Sequence, residues 1–254
     1  EPRGAALLAD HAAALAADGT AGSLERCAAL IHASRPDGVS LALRPLRPLR
    51  LLITTALRCC YATPRVDDAA LEALHAIYAS LPGRVDAPHV EEEEAAEAAS
   101  EGGADEVPPP PSPGSKEPLA ELLDRLDVLE HHLSAQQRLG EYRLVQEMTA
   151  FCEAGSGATL GLSEERASTL LRAMGRHTAR RQPPASRLQW EATLDDMTSL
   201  RELACAALPA EAAAVEWLQA LLLAEQFRHA ADWLRGAGGA AVPAASAEEI
   251  VLAA

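Results

Sequence analysis

The sequence predicts an all-α protein, an irregular α-solenoid of antiparallel helical hairpins that is interrupted by a disordered acidic and proline-rich insert. Apolar residues recur at three- and four-residue spacing through most of the 254 residues, which is the pattern of helices with one buried face. Hydrophobic residues make up 48% of the chain but aromatic residues only 3%, so the core is built mainly from leucine and alanine, which favour helices over strands. Because no strict repeat period is present, we expect the solenoid to be irregular.

Four helices are predicted in the first part of the chain, near 4–17, 22–33, 49–62 and 68–80. The connections are short and contain Gly, Pro or Ser. The segment "RPLRPLR" at 44–50 has prolines that forbid a helix there, which predicts an extended linker. Its arginines leave a second reading open, the binding of an acidic partner or an anionic lipid headgroup.

Seven more helices are predicted after the insert, near 119–138, 141–154, 163–177, 187–206, 210–223 and 225–235, with a last one that begins near 246. The helix from 187 has the clearest start, because Ser186 stands three residues before Gln189, which is the spacing of a capping box. Ser163 is the expected N-cap of the helix that follows it.

The acidity of the chain is concentrated in one segment, which divides it into three parts: helical hairpins over 1–85, a disordered insert over 86–117, and a second helical part over 118–254. The whole chain has a net charge of −15, and ten acids against one lysine give 86–117 a net charge of −9. Such a segment cannot bury enough apolar surface to fold. We interpret its polyproline stretch as a spacer, with an SH3 or WW ligand as the alternative. Because the chain starts without methionine and ends in the apolar run "EEIVLAA", we expect a fragment, truncated at its C-terminus.

Several function classes are disfavoured by composition. The helical parts are not strongly charged, which argues against general nucleic-acid binding. The five cysteines are scattered and form no C-x-x-C pair, which indicates buried, reduced thiols in the cytosol rather than a zinc site. No uninterrupted apolar run reaches the length of a membrane span.

No catalytic constellation is recognisable in the sequence. It contains no P-loop, G-x-G-x-x-G, H-E-x-x-H or G-x-S-x-G motif. His131 and His132 are neighbours on a helix and diverge by about 100°, so we interpret them as part of a solvated helix face. We therefore expect no enzyme activity, no catalytic residues, no cofactor, no metal and no small-molecule substrate.

The segment "GRHTARRQPPASRLQW" at 175–190 concentrates arginines, prolines and a tryptophan in an otherwise alanine- and leucine-rich chain. Its pattern is a helix end, a basic loop, a double proline and a newly capped helix. We interpret it chiefly as an architectural corner in which Trp190 packs at the first turn of the second helix. The functional alternative is a docking patch for an acidic partner segment, formed by Arg176, Arg180 and Arg181.

The same segment resembles the neuroblastoma-amplified sequence (NBAS) family, in the secretory-pathway helical domain that follows the β-propeller of that family. The family word is similar to R-H-T-x-R-x-Q-P-P-x-S-x-x-x-W-x-x-x-L-x-D-M. Twelve residues match it in register: Arg176, His177, Thr178, Arg180, Gln182, Pro183, Pro184, Ser186, Trp190, Leu194, Asp196 and Met197.

The resemblance extends over about 118–254 and is thinner over 50–80. The stretches "ALHAIYA" at 73–79 and "LDRLDVLEHHLSAQQRLGEY" at 123–142 are similar to the family in the same order. The insert departs from the family, whose corresponding connection is less acidic and less proline-rich, so no function of it is carried over.

The resemblance implies a non-enzymatic tethering subunit in retrograde vesicle transport from the Golgi to the endoplasmic reticulum. The family belongs to the NRZ complex, which is similar to the yeast Dsl complex, and binds other tether subunits and SNAREs. The expected location is cytoplasmic and peripheral on the membrane of the endoplasmic reticulum, with protein partners and no direct nucleic acid. The alternatives are an RNA-decay-linked helical adaptor, another solenoid scaffold of the coat or nuclear-pore type, and a metal-dependent helical enzyme.

Overall fold

The computed structural model describes residues 2–35, 46, 49–64, 67–81, 119–154, 160–236 and 238–253. Every regular element within these residues is a helix, so the predicted all-α class is confirmed. The α-helices there are α1 Pro2–Asp18, α2 Ala21–Ala33, α3 Leu49–Ala62, α4 Asp68–Ala79, α5 Leu119–Glu141, α6 Glu164–Ala179, α7 Arg187–Ala204, α8 Ala212–Leu223, α9 Phe227–Arg235, α10 Gly238–Ala241 and α11 Ala244–Ala253.

The first hairpin, α1 with α2, turns at a glycine that nothing larger could replace. Gly19 has a φ of 67°, and a Cβ atom there would lie 2.8 Å from Cγ of Pro64. Such a φ disfavours any residue with a side chain. Thr20 then caps α2, since its side chain accepts a hydrogen bond from the Ser23 backbone N–H at 3.3 Å. A two-residue turn of this kind makes consecutive helices antiparallel.

The two hairpins of the first half stack on each other. Helix α1 packs on α3 and α2 packs on α4, which is the arrangement that consecutive hairpins adopt in an α-solenoid. The largest side chains of these helices that are completely buried are aliphatic and come from α2, α3 and α4: Leu24, Ile31, Leu52, Ile53, Leu57, Leu74 and Ile77.

The helices of the second half follow the same principle. Helix α6 packs both on its neighbour α7 and, more extensively, on α8. The α6–α8 contact is close because small residues face each other there: a Cβ atom on Gly175 would lie 2.6 Å from Cβ of Ala220. Both halves therefore consist of stacked helical hairpins, as the sequence predicted.

The predicted helix over 141–154 is wrong. Helix α5 is longer than expected and ends in a Schellman turn at Arg143, whose φ is 58°. The N–H of Arg143 donates to the carbonyl of Gly140 at 3.0 Å, and the N–H of Leu144 donates to that of Leu139 at 2.9 Å. Because this turn usually has glycine at the left-handed position, an arginine there gave no stop signal.

An irregular segment with a single 3-10 turn, Met148–Cys152, replaces that helix. The buried side chain of Gln136 satisfies its backbone, accepting a hydrogen bond from the N–H of Gln146 at 3.0 Å and donating one to the carbonyl of the same residue. An isolated antiparallel bridge pairs Ala154 with Gly161. No strand occurs in the described parts of the chain.

The chain divides into two compact units, Glu1–Glu130 and His131–Ala254, and the boundary falls within α5. The predicted insert over 86–117 lies outside the described residues, as does most of the linker at 44–50. The three-part division at 85 and 118 therefore stays a prediction. The other helix bounds agree with the expected ones to within three residues, and the short α10 was not expected.

Candidate functional site

An open pocket of about 500 Å³ in the second unit contains the predicted docking patch. Its walls come from the turn after α5 and from the C-terminal half of α6. These two segments lie side by side because the Schellman turn redirects the chain after α5. We call it the arginine pocket, and the residues that line it are Tyr142, Leu144, Ala173, Arg176, His177, Arg180 and Arg181.

The guanidinium groups of Arg176, Arg180 and Arg181 carry the charge of this pocket. All three side chains are exposed. Within the part of the chain that the structure describes, none of them has an ion-pair partner. Five other arginines of the same unit do have one: Arg138 with Asp196, Arg166 with Glu153, Arg172 with Glu216, Arg187 with Glu191 and Arg235 with Asp232. Three more arginines of the unit, Arg143, Arg201 and Arg228, also lack an ion pair among the described residues, so the pocket brings together half of the unpaired arginines of this unit.

The C-terminus of α6 lies at the same place, and its last carbonyls carry a partial negative charge. This charge is about half an elementary unit, far less than that of three guanidinium groups. The pocket is therefore electropositive. Arg180, the C-cap of α6, closes the helix with backbone hydrogen bonds and leaves its side chain in solvent.

One wall of the pocket is fixed by Asp196, a residue of the family word. The hydroxyl of Tyr142 donates to Oδ2 of Asp196 at 2.7 Å, and Nη1 of Arg138 donates to Oδ1 at 2.9 Å. The Tyr142 ring meets the His177 ring edge to face, with centroids 5.6 Å apart. Burial, followed by the hydrogen bond to Asp196, raises the pKa of Tyr142 well above its usual range, so this phenol stays a donor.

The corner between α6 and α7 is tied together by polar contacts. The hydroxyls of Thr178 and Thr193 are 2.9 Å apart in a buried position. The predicted capping box is confirmed, since the Ser186 hydroxyl accepts from the Gln189 N–H while the Gln189 side chain accepts from the Ser186 N–H. The peptide bond between Gln182 and Pro183 is cis.

Trp190 is buried at the corner, in the first turn of α7. Its side chain is 1% exposed. The Trp217 ring meets it edge to face with centroids 6.4 Å apart, and the indole N–H of Trp217 donates to the Trp190 carbonyl at 2.7 Å. Trp217 also contacts the Trp233 ring at 4.9 Å, so three helices meet around these rings.

The residues of the family word take three kinds of position in the structure. The buried ones are Thr178, Trp190 and Met197; the half-buried ones are His177, Leu194 and Asp196; and the exposed ones are Arg176, Arg180, Gln182, Pro183, Pro184 and Ser186. The pocket unites Arg176 and Arg180 of the family word with Arg181, which that word does not fix. Their role in binding stays a prediction.

Sequence reasoning missed the other half of the pocket. Tyr142 and Leu144 are separated from Arg176 by more than 30 positions, and nothing in the local pattern shows that the turn after α5 faces α6. The sequence did contain one indication of the end of α5, namely Gly140 followed by Tyr142 in "QRLGEY". Without knowledge of the helix packing, this signal did not point to a site.

His132 differs from its predicted place on a solvated face, whereas His131 is exposed as expected. The His132 side chain is fully buried, its ring centroid lies 4.7 Å from that of Phe151, and its Nε2 is 3.2 Å from the Leu160 carbonyl. Burial lowers the pKa of His132 to about 4. The irregular segment after α5 covers this position, and the predicted helix there would not have.

No group of three or more His, Cys, Asp or Glu side chains in the described residues is arranged to hold a metal ion. No described helix combines the length and the apolar character that a membrane span needs. Cys27, Cys59, Cys60 and Cys205 are buried thiols, while Cys152 is exposed, against the expectation of burial.

Part of the chain is similar to a known plant protein. No family model matches the chain, and no solved structure matches it significantly. The chain is 32% identical over 128 residues to MAG2-interacting protein 2 of Arabidopsis thaliana. The aligned stretch is 50% of this chain and 5% of that protein. This chain is therefore similar to a short stretch of a protein that is named for its interaction with MAG2.

Proposed function

We propose that the chain is part of a non-enzymatic scaffold or tethering subunit in Golgi-to-ER retrograde vesicle transport, which binds tether subunits and SNAREs. It acts from the cytoplasm, peripheral on the membrane of the endoplasmic reticulum. The proposal rests on the resemblance of residues 176–197 to the family word of the NBAS family. The partial similarity to a protein named as an interaction partner is compatible with it.

The observation that carries the proposal is how the family word is distributed in the fold. Its buried members Thr178 and Trp190 hold the α6–α7 corner, while Arg176 and Arg180 line an open pocket with unpaired charge. A word that combines a rigid corner with an exposed basic pocket is expected of a surface that binds another protein. Stacked helical hairpins are likewise a frequent scaffold for protein binding.

The non-enzymatic part of the proposal is supported by the chemistry of the pocket. The guanidinium groups of Arg176, Arg180 and Arg181 are hydrogen-bond donors and serve neither as general bases nor as nucleophiles. Tyr142 is committed to Asp196 by its hydrogen bond. His177 also lines the pocket, but among the described residues its ring has no hydrogen-bond partner that would orient it as a general base. The residues present therefore suit binding better than bond cleavage.

Affinity capture from a cell extract tests the proposal. The full chain is immobilised through a terminal tag, and the recovered proteins are quantified against bare resin. We expect enrichment of tether-complex subunits and SNAREs. An enrichment of coat or nuclear-pore proteins alone would replace the proposal with a different solenoid scaffold.

One observation favours the RNA-decay-linked adaptor as a second candidate, namely the three unpaired arginines, since arginine is also a common phosphate ligand. The surrounding charge weighs against it, because the second unit has 15 acids and 11 arginines, a net charge of −4. Recovery of RNA and decay factors in the same capture, sensitive to ribonuclease, would establish this candidate instead.

A further inference from the structure

The arginine pocket combines unpaired charge with an apolar wall, and this combination narrows the kind of partner it fits. We propose that the pocket is the docking site for an extended acidic peptide segment of a protein partner, in which an apolar side chain lies next to two carboxylates. This inference rests on the proposed scaffold function and specifies the chemistry of one of its contacts.

The spacing of the arginines fits carboxylates on an extended chain. Arg176 and Arg180 are separated by four positions at the end of α6, so their backbones lie about 6 Å apart along the helix axis. Alternate residues of an extended peptide are about 7 Å apart and point to the same side. A guanidinium group binds a carboxylate through two parallel hydrogen bonds. Two acids at alternate positions therefore match the two arginines, and Arg181 adds a third cation beside them.

The remaining wall fits an apolar side chain. The Tyr142 ring, Leu144 and Ala173 line the pocket next to the arginines. Asp196 holds the Tyr142 hydroxyl, so this wall is in place before any ligand arrives. A wall that is already formed lowers the ordering cost of binding. An inorganic anion would leave this wall unused, whereas a peptide contacts both parts of the pocket.

The charge around the pocket favours a short peptide over an anionic membrane or RNA. The second unit is negative overall, with 15 acids against 11 arginines. Charges farther away than about 8 Å are largely screened at physiological ionic strength. A short peptide therefore meets mainly the local arginines, while a membrane surface or a long phosphate chain also faces the surrounding carboxylates.

Fluorescence anisotropy on the full chain tests the proposal directly. The probe is a fluorescein-labelled peptide with the core Glu-Ser-Glu-Ser-Leu between Gly-Ser flanks, which places two carboxylates and one apolar side chain on the same side of an extended chain, and it is titrated at low and physiological salt. The pocket variant carries Arg176→Ala, Arg180→Ala and Arg181→Ala. The control carries Arg187→Ala, Arg228→Ala and Arg235→Ala, which removes the same charge from exposed positions of the same unit.

We expect the pocket variant to bind the peptide at least tenfold more weakly than the unmodified chain, and the control variant to stay within twofold. Both variants should melt like the unmodified chain, since all six side chains are exposed. No binding by the unmodified chain, or an equal loss in both variants, would overturn the proposal.

Competing ligands are tested with the same proteins. Vesicles of phosphatidylcholine with phosphatidylserine, a uridine oligonucleotide and inorganic phosphate each replace the peptide. If one of these binds in a pocket-dependent way and the peptide does not, the pocket has a different ligand and the proposal is wrong.

Failure of this inference can be told apart from failure of the scaffold function. If the pocket variant still captures tether subunits and SNAREs from extract, the function stands and the pocket is not their docking site. If the peptide binds as expected but capture recovers neither class of protein, the pocket is a peptide site and the function proposal fails.

Discussion

Replacing Trp190 by alanine tests whether this residue anchors the α6–α7 corner. The substitution removes a side chain that is 1% exposed and meets the Trp217 ring edge to face. It leaves the Trp190 carbonyl in place, so the hydrogen bond from the Trp217 indole can persist. The expected cost is therefore that of emptying a buried aromatic site, about 3 to 5 kcal/mol of the free energy of unfolding.

The pair with Trp217 gives this prediction a second, sharper part. Edge-to-face aromatic pairs contribute about 0.5 to 1.5 kcal/mol beyond the area that they bury. A double-mutant cycle with Trp190→Ala and Trp217→Ala should yield a coupling of that size, because the two side chains are in contact. If the losses in unfolding free energy of the two single substitutions simply add up to that of the double variant, the two rings do not stabilise each other and this prediction is wrong.

Guanidinium denaturation followed by the helical circular dichroism signal measures these changes. Tryptophan fluorescence is unsuitable, because the variants remove the chromophores. A loss of this size is a large share of the stability of an ordinary domain. Trp190→Phe, which keeps most of the volume, serves as a milder variant if the alanine chain does not fold.

The control is Leu188→Ala, two positions earlier in the same helix, at a side chain that is 77% exposed. It should change the free energy of unfolding by less than about 0.5 kcal/mol. A loss below 1 kcal/mol for Trp190→Ala, or an equal loss for both substitutions, would refute the corner anchored by Trp190.

Three further predictions concern the second unit. The folded state holds the pKa of His132 near 4, below the usual value of about 6.5. Between these values the unfolded state binds a proton that the folded state does not, so the free energy of unfolding is highest above pH 6.5 and falls by about 3 kcal/mol towards pH 4. Urea unfolding at several pH values should show a flatter acid limb for His132→Gln, and unchanged slopes would contradict the burial. Arg180→Ala with Arg181→Ala should shift stability by only a few tenths of a kcal/mol, because both side chains are exposed, and a melting loss above 1 kcal/mol would point to a structural role. Gly175→Ala should cost about 1 to 3 kcal/mol, because its Cβ would clash with Ala220, and adding Ala220→Gly should recover most of that loss by restoring the space.

Much of the helical fold was predictable because apolar spacing is local information. The bounds of α3 were predicted without error, and Ser186 with Gln189 marked the start of α7 correctly. The largest error came at Arg143, whose left-handed conformation ends α5. Glycine usually takes that position, so the residue type at 143 does not indicate that α5 ends there.

The site was predictable only in part, for the same reason. The segment around Arg176, Arg180 and Arg181 was recognisable because its basic residues interrupt a leucine- and alanine-rich pattern. Tyr142 is brought to it by a turn that the sequence did not reveal, and the role of Asp196 depends on contacts of α7 with α5 and with the turn after α5. Contacts between side chains of different helices produce no periodic pattern in the sequence.

The residues that hold the shape of the pocket, through the hydrogen bonds of Asp196, differ from the residues that carry its charge. The wall is held by Tyr142 and Arg138, and the corner by Thr178 and its partner hydroxyl, so none of the three pocket arginines supports the fold. Mutational drift at those three positions therefore meets little selection for stability. Substitutions at these positions can alter partner binding without compensating changes in the core, so recognition and stability can change independently.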